Sequence, residues 1–181
     1  MTAMRRDVAL AAFENLALSP LNEKLARYWL SLWNGDALPG RTQLSPSRVK
    51  DLLPGIGIFE VRPGESSRCR LSGTAIQHAL GREIAGLDWR QYTAKDQWHS
   101  RLARNSRIAE GGVGVGLRRA QQDGSAGVTQ ELQLPFADET EDGARLILFH
   151  LDWRPESSLH EPKDAAPIRI ADEFHVFSLA S

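Results

Sequence analysis

The sequence is poor in cysteine, in charge of one sign and in long apolar runs. Its single cysteine, Cys69, excludes an intrachain disulfide, a four-cysteine zinc site and a CxxCH haem attachment. A lone thiol suits a reducing cytoplasm, the expected location. Lys and Arg number 22 against 23 Asp and Glu, a net charge of −1. Such a chain has no global field to draw in DNA or an anionic membrane. Arg5-Arg6 and Arg118-Arg119 are pairs rather than a basic stripe. No stretch reaches the ~18 consecutive apolar residues of a membrane span. Glu14 and Asn15 interrupt the apolar segment from Val8 to Leu18, and no small-residue cleavage site follows, so it reads as a helix rather than a signal peptide. Partners of the nucleic-acid and membrane classes are therefore not expected. GxSxG, HExxH and Walker motifs are absent too. Glu83, Asp88 and Asp96 are scattered loop or cap acids. The expectation is a protein that is not an enzyme.

What is present is ordinary globular material: 181 residues, 41% hydrophobic and 25% charged. That length buries one core without staples and leaves room for extensions. Val8, Leu10, Ala11, Phe13 and Leu16 share a helical face. Ser19-Pro20 reads as an N-cap followed by proline at the first helical position. Leu21, Leu25, Tyr28 or Trp29, and Leu32 then recur at helical spacing until Asn34-Gly35. Ser45-Pro46 opens a second short helix through Val49, Leu52 and Leu53, closed by Pro54-Gly55. After that the period changes to alternation. Ile56 to Val61 and Arg68 to Leu71 read as a hairpin, with Cys69 and Leu71 on one face. Ala75 to Leu80 is a helical turn, and Asp96 to Ala109 a longer helix. Three strands follow, Val113 to Arg119, Gly127 to Leu134 and Arg145 to Trp153, joined by turns at Asp123-Gly124 and Asp142-Gly143. In the last strand Leu146, Leu148, His150 and Asp152 point one way. Ile147, Phe149, Leu151 and Trp153 point the other, a fully apolar face that packs on the core. The tail from Pro155 reads as a linker, with Phe174 to Leu179 open between a further strand and a docked segment.

Six segments carry a resemblance. They are Arg27-Tyr28-Trp29, Leu38-Pro39-Gly40-Arg41, Ser45-Pro46, Leu52-Leu53-Pro54, Arg70-Leu71-Ser72-Gly73-Thr74 and Gly81-Arg82-Glu83-Ile84-Ala85-Gly86. Their order and spacing, from about Leu25 to Trp153, resemble a bacterial PAS-like family, common in alphaproteobacteria and long catalogued as a domain of unknown function. The family often has Asp-Pro where this chain has Ser45-Pro46, and either residue caps a helix. The resemblance implies an α+β fold: a PAS-like five-stranded antiparallel sheet with helices on one face, plus N-terminal helices. The chain then divides into an N-terminal helical extension at 1–36, a PAS-like domain at 37–154 and a C-terminal tail at 155–181. PAS domains sense ligands or mediate dimerisation and are rarely catalysts, and the fold does not name the ligand or any cofactor.

The expected site is a pocket between the sheet and the helical stretch from Ala75 to Ala109. Its expected apolar lining comes from Leu71, Ile76, Leu80 and Ile84, then Trp98 and Leu102, and from the strands Val115, Leu132 and Leu148. Gln77, His78 and His99 are the nearest polar anchors. The alternative is that the same side chains fill the core. His78 and His99 lie on helical segments beside this pocket, and the resemblance brings in His99 because haem-binding PAS domains use a helix histidine, although lone histidines are mostly surface or hydrogen-bonded residues. His150 and Asp152 at period two are too few for a metal ion, which needs three or four ligands. Cys69 in Arg68-Cys69-Arg70-Leu71 echoes the flavin-binding photosensory motif without its asparagine or phenylalanine, and reads as a buried thiol. The run Gly111-Gly112-Val113-Gly114-Val115-Gly116 has GxGxG spacing with a helix before it and a strand after it, the reverse of a dinucleotide fingerprint. It reads as a helix terminus and strand entry. Gly73 and Gly86 are expected to hold positive φ or admit close backbone approach. Arg41 or Arg70 is expected to pair and so fix the N-terminal helices to the sheet. Trp29 and Trp33, at i and i+4, read as core, as a dimer surface, or as both.

The expected function is a non-catalytic PAS-type sensory or protein-interaction module acting in trans. Its expected partners are a small-molecule ligand, a signalling protein, and a second copy docked through the N-terminal helices. The alternatives are a small pocket enzyme on a curved-sheet scaffold, and a structural dimer with a filled core.

Overall fold

Apolar residues alternate to both sides of the central strands, so the sheet must be covered on both faces. The computed structural model describes residues 5–122, 125–155 and 173–179. The strands are β1 (Ile56–Arg62), β2 (Ser66–Ser72), β3 (Gly112–Gln122), β4 (Ser125–Glu139), β5 (Arg145–Pro155) and β6 (Glu173–Ser178). They form one antiparallel sheet in the order β2-β1-β5-β4-β3-β6. The first five are the expected ones. The sixth comes from the tail and lies along the β3 edge, Gly112 opposite Ser178 and Leu117 opposite Glu173. The four helices among the described residues are α1 (Arg6–Glu14), α2 (Pro20–Ser31), α3 (Thr74–Leu80) and α4 (Trp98–Ala109). None of them is long and apolar enough to cross a membrane.

On one face, Ile56, Ile58, Val113, Val115, Leu132, Leu134, Leu146 and Leu148 pack with Leu25, Trp29 and Trp33 of the α2 region. On the other, Phe59, Val61, Ile147, Phe149 and Leu151 pack with Ile76, Ile84 and Ile108 from α3, α4 and the segment between them. The helices that follow β1 therefore do gather on one face, as expected, while α1 and α2 cover the opposite one.

Pro20 starts α2 as expected, but the Ser19 hydroxyl caps nothing. Instead the Ser19 backbone N–H donates to Gln130 Oε1 at 2.6 Å, so a strand residue anchors the backbone at the start of α2. Asn22 Nδ2 donates to Gln130 O at 3.1 Å and to its Oε1 at 3.0 Å, and Gln130 Nε2 donates to Ala17 O at 2.9 Å. Trp29 Nε1 donates to Pro135 O at 3.2 Å, and the Trp29 and Trp33 rings meet edge to face at 5.2 Å. Both tryptophans are buried, so neither is available as a dimer surface. Truncating such an aromatic typically costs about 3–5 kcal/mol.

The glycine run belongs to packing. Gly111, at φ +107, ends α4. A Cβ on Gly114 would stand 2.6 Å from Ile108 Cδ1 and 2.8 Å from the Phe174 ring, so the missing side chain lets α4 and β6 close on β3. Gly143 turns at φ +79, while Asp123-Gly124 lies outside the described residues, as does the side chain of Trp153. Arg70 pairs with Glu60 across the β1–β2 surface at 3.4 Å, and the Arg41 backbone N–H donates to the Asp138 carboxylate. The first is an exposed pair of small worth. Neither side chain ties the N-terminal helices down; the Asn22–Gln130 bonds do that.

Gly73 and Gly86 separate the two uses of glycine. At Gly73 a Cβ would stand 2.5 Å from Leu53 O and overlap Pro54 O, whereas Gly86 sits at φ +81 with nothing within 4 Å. Gly73→Ala forces backbone to move, while Gly86→Ala bears only left-handed strain of about 1–2 kcal/mol. Urea titrations should show the larger fall in midpoint for Gly73→Ala. A larger fall for Gly86→Ala would overturn the close-approach account.

Candidate functional site

Helix α4 lays an inward face on the sheet that is not apolar. Arg101, Arg104, Asn105, Ile108 and Ala109 are its buried residues. Arg101 and Arg104 are only 5% and 6% exposed. Below them on β4, Glu131 and Gln133 alternate with Leu132 and Leu134, so the apolar pair faces α2 and the polar pair faces α4. Between the layers lies a cavity of about 20 Å³. Phe59, Phe149 and Leu151 form its sheet side, Leu80 and Ile84 close the other, and Tyr92, Arg101 and Glu131 give it polar walls. A space of that size takes one water-sized group.

The polar groups are held but not exhausted. Arg101 Nη1 donates to Thr93 Oγ1 at 2.6 Å, and its guanidinium lies 4.9 Å from the Tyr92 ring and 5.8 Å from the Phe59 ring. Each cation–π contact contributes about 0.5–2 kcal/mol, more when desolvated. Phe59 in turn stacks on Phe149 at 4.1 Å. Gln133 Nε2 donates to Glu131 Oε1, and Asn105 Nδ2 donates to Ser67 Oγ at 3.3 Å. Yet Arg101 Nε, the Tyr92 hydroxyl, Gln133 Oε1 and Asn105 Oδ1 have no hydrogen-bond partner among the described residues. Buried polar atoms in folded proteins are nearly always bonded, to protein or to solvent, so these four keep hydrogen-bonding capacity on this face. The cluster on the opposite face differs. There the side-chain amides of Asn22 and Gln130 are used at both ends, and Asn22 Oδ1 meets His150 Nδ1 at 2.7 Å.

Burial pushes the Tyr92 hydroxyl up to about 12, against the opposing pull of Arg101. Burial, then Glu83, pushes the Cys69 thiol up to about 12 as well. Both stay protonated at neutral pH. Among the described residues no three His, Cys, Asp or Glu side chains come together as metal ligands.

The residues expected to line one pocket are divided. Leu80 and Ile84 line the cavity, and Ile76, Trp98 and Leu102 pack in the same layer. Val115, Leu132 and Leu148 lie on the α2 face, because alternation puts them opposite Phe149, Leu151 and Glu131. Leu71 is 45% exposed. The register of β1 with β2 slips between Ile58 and Phe59, so Cys69 pairs with Phe59 while Leu71 pairs with Ile58, and the two no longer share a face. Gln77, His78 and His99 point to solvent, which also removes His99 from any place over the cavity. Tyr92, Arg101 and Glu131 are not among the residues expected from the sequence. A signal for them existed in the i, i+3, i+4 spacing of Arg101, Arg104 and Asn105, which an apolar-face search passes over.

A family model described as PAS domain matches residues 18–148, from just before α2 to the middle of β5. No curated protein matches the sequence.

His150 supplies a pH test of the opposite face. It is buried, and burial lowers its pKa to about 4, against the raising effect of Asp152. The fold favours the neutral ring, so the His150 contribution is complete above the unfolded value near 6.5 and is lost as pH falls toward 4. That window carries on the order of 3 kcal/mol. Urea titrations from pH 7 to 4 should show a steeper loss in the parent chain than in His150→Gln. Equal slopes would mean that the ring is solvated in the fold.

Proposed function

The chain belongs to the PAS domain family, and on that premise we propose that it is a non-catalytic sensory module that binds a small ligand between the sheet and α4 and signals to a partner protein. PAS domains in general are non-catalytic sensory or interaction modules. The observation that carries the ligand reading is that two residues lining the cavity under α4, Arg101 and Tyr92, each hold a buried polar atom without a hydrogen-bond partner. Burial holds the Tyr92 hydroxyl and the Cys69 thiol protonated at neutral pH, so neither is a base or a nucleophile there. The expected sites Ile76, Trp98 and Leu102 enter this reading as the packed layer around the cavity, with Leu80 and Ile84 in its wall. Self-association through the N-terminal helices remains part of the proposal. Its support is Leu10, 47% exposed on the wall of a groove of about 350 Å³ between α1 and α2, and Leu21, 37% exposed on α2.

Native mass spectrometry of the purified chain tests the ligand. The expected result is a retained small molecule at one per chain, lost in Leu80→Trp while the circular dichroism spectrum is kept. A bare mass from every preparation, including protein incubated with a metabolite extract, would overturn the sensory reading. Light scattering over a range of concentrations should show a dimer that Leu10→Lys dissociates, and a monomer throughout would remove the self-association.

A further inference from the structure

The sheet edge beside α4 is built from residues that the cavity does not use. On β3, Gly112 and Gly114 present no side chain, and two residues of β6 fill the space. A Cβ on Gly112 would stand 2.8 Å from Val176 Cγ1, and one on Gly114 would stand 2.8 Å from the Phe174 ring. Helix α4 closes the channel. The Arg104 guanidinium lies 4.0 Å from the centre of the Phe174 ring, and Arg107 Nη2 donates to Val176 O at 3.2 Å. The remaining wall is the β3 backbone, which pairs with β6 from Gly112 to Leu117. His175, between the two packed residues, is exposed. Side-chain-free floor, guanidinium over a ring and backbone ladder together make a groove for an extended segment that has an aromatic residue two positions before a β-branched one.

We propose that β6 is a tethered occupant of this groove, and that an extended segment of a partner protein with the same aromatic-x-β-branched pattern replaces it there by strand addition. Two observations set β6 apart from the other strands. The family match ends at residue 148, so it takes in β1 to β4 and the start of β5 but not β6. Without β6 the β3 edge would present unpaired N–H and C=O groups, a template for another strand. The second observation is the tether. β5 and β6 lie three strand spacings apart across the sheet, about 14 Å. Positions 156–172 between them reach roughly 55 Å when extended, so β6 can leave the edge without unpairing β5. Its release is also felt at α1, which precedes the family match. Leu179, just beyond β6, is buried in the cluster that holds Ala9 of α1, and its carbonyl accepts from the Arg5 N–H at 3.0 Å. The groove gives the partner protein of the proposed function a surface and needs no ligand in the cavity, so peptide binding and a retained molecule are read separately.

Fluorescence anisotropy with a dye-labelled peptide of residues 171–181 reads the groove in the full chain. The tether holds β6 at an effective concentration on the order of millimolar, so the parent chain should bind the peptide weakly. Phe174→Lys sets a cation against Arg104 and releases the tethered strand, and that chain should bind the peptide at least tenfold more tightly. A peptide that itself carries Phe174→Ala should bind the released chain at least tenfold more weakly than the parent peptide does. In a ¹⁵N-correlated spectrum the Arg5 amide should shift in Phe174→Lys and return on saturation with the parent peptide, while the β5 amides stay in place. Should Phe174→Lys fail to fold, Phe174→Ala, which only removes the ring, should bind the peptide several-fold more tightly than the parent chain. Equal affinity of parent and variant chains, or equal affinity for the two peptides, would overturn the proposal. Loss of the fold in both variants would make β6 integral to the domain and overturn it as well. A parent dimer in light scattering that the peptide dissociates, and Leu10→Lys does not, would assign the groove to the β6 of a second copy instead.

Discussion

The covering of the sheet on both faces is the constraint on which the other features depend. Each central strand must send apolar side chains to α2 on one side and to α4 on the other, as Leu148 and Phe149 do from adjacent positions. Two helical layers must then be held at fixed height over the sheet. On the α2 side a polar clamp does this. Gln130 anchors the start of α2 by accepting from the Ser19 N–H, and Asn22 bridges Gln130 to His150. Such a network fixes register and helix orientation because every amide in it is used, and one missing member would leave buried partners unsatisfied.

The α4 side is organised differently. Glycine at position 114 lets the helix approach β3, which brings Arg101 and Arg104 down to the sheet instead of leaving them at the surface. Arg101 is then stabilised by the Tyr92 and Phe59 faces and by Thr93, while its Nε–H has no acceptor. A core optimised only for stability would replace such groups with apolar ones of like volume. The Asn22 and Gln130 amides on one face are used at both ends, whereas Arg101 Nε and the Tyr92 hydroxyl on the other have no hydrogen-bond partner among the described residues.

Much of the fold is legible in the sequence, because the signals are local. Pro20, the alternation from Ile56 onward, and the glycines after α4 and in the Asp142-Gly143 turn each mark an element by their own chemistry. What is not legible depends on distant partners. Nothing near Ser19 announces that Gln130 will bind its backbone N–H. Nothing in Arg-Cys-Arg-Leu reveals the slip in register that turns Leu71 away from Cys69. The face of a strand is legible only relative to its neighbours, which is why Val115, Leu132 and Leu148 join the α2 layer and Phe59, Phe149 and Leu151 the cavity. The polar site was the hardest to foresee, since buried arginines on a helix look like a solvated face until a strand with Glu131 is placed beneath them.

Residue-resolved amide hydrogen exchange tests the division between a rigid clamped face and a yielding cavity wall most directly. Amides of α2, β4 and β5 should exchange together, through global unfolding, because the clamp makes α2 one unit with the sheet. Amides of Ile84 and Ala85, held only by Glu83, should exchange at least about 100-fold faster, through local opening. Early release of α2 ahead of the sheet, or protection at Ile84 and Ala85 equal to that of β4, would contradict the account.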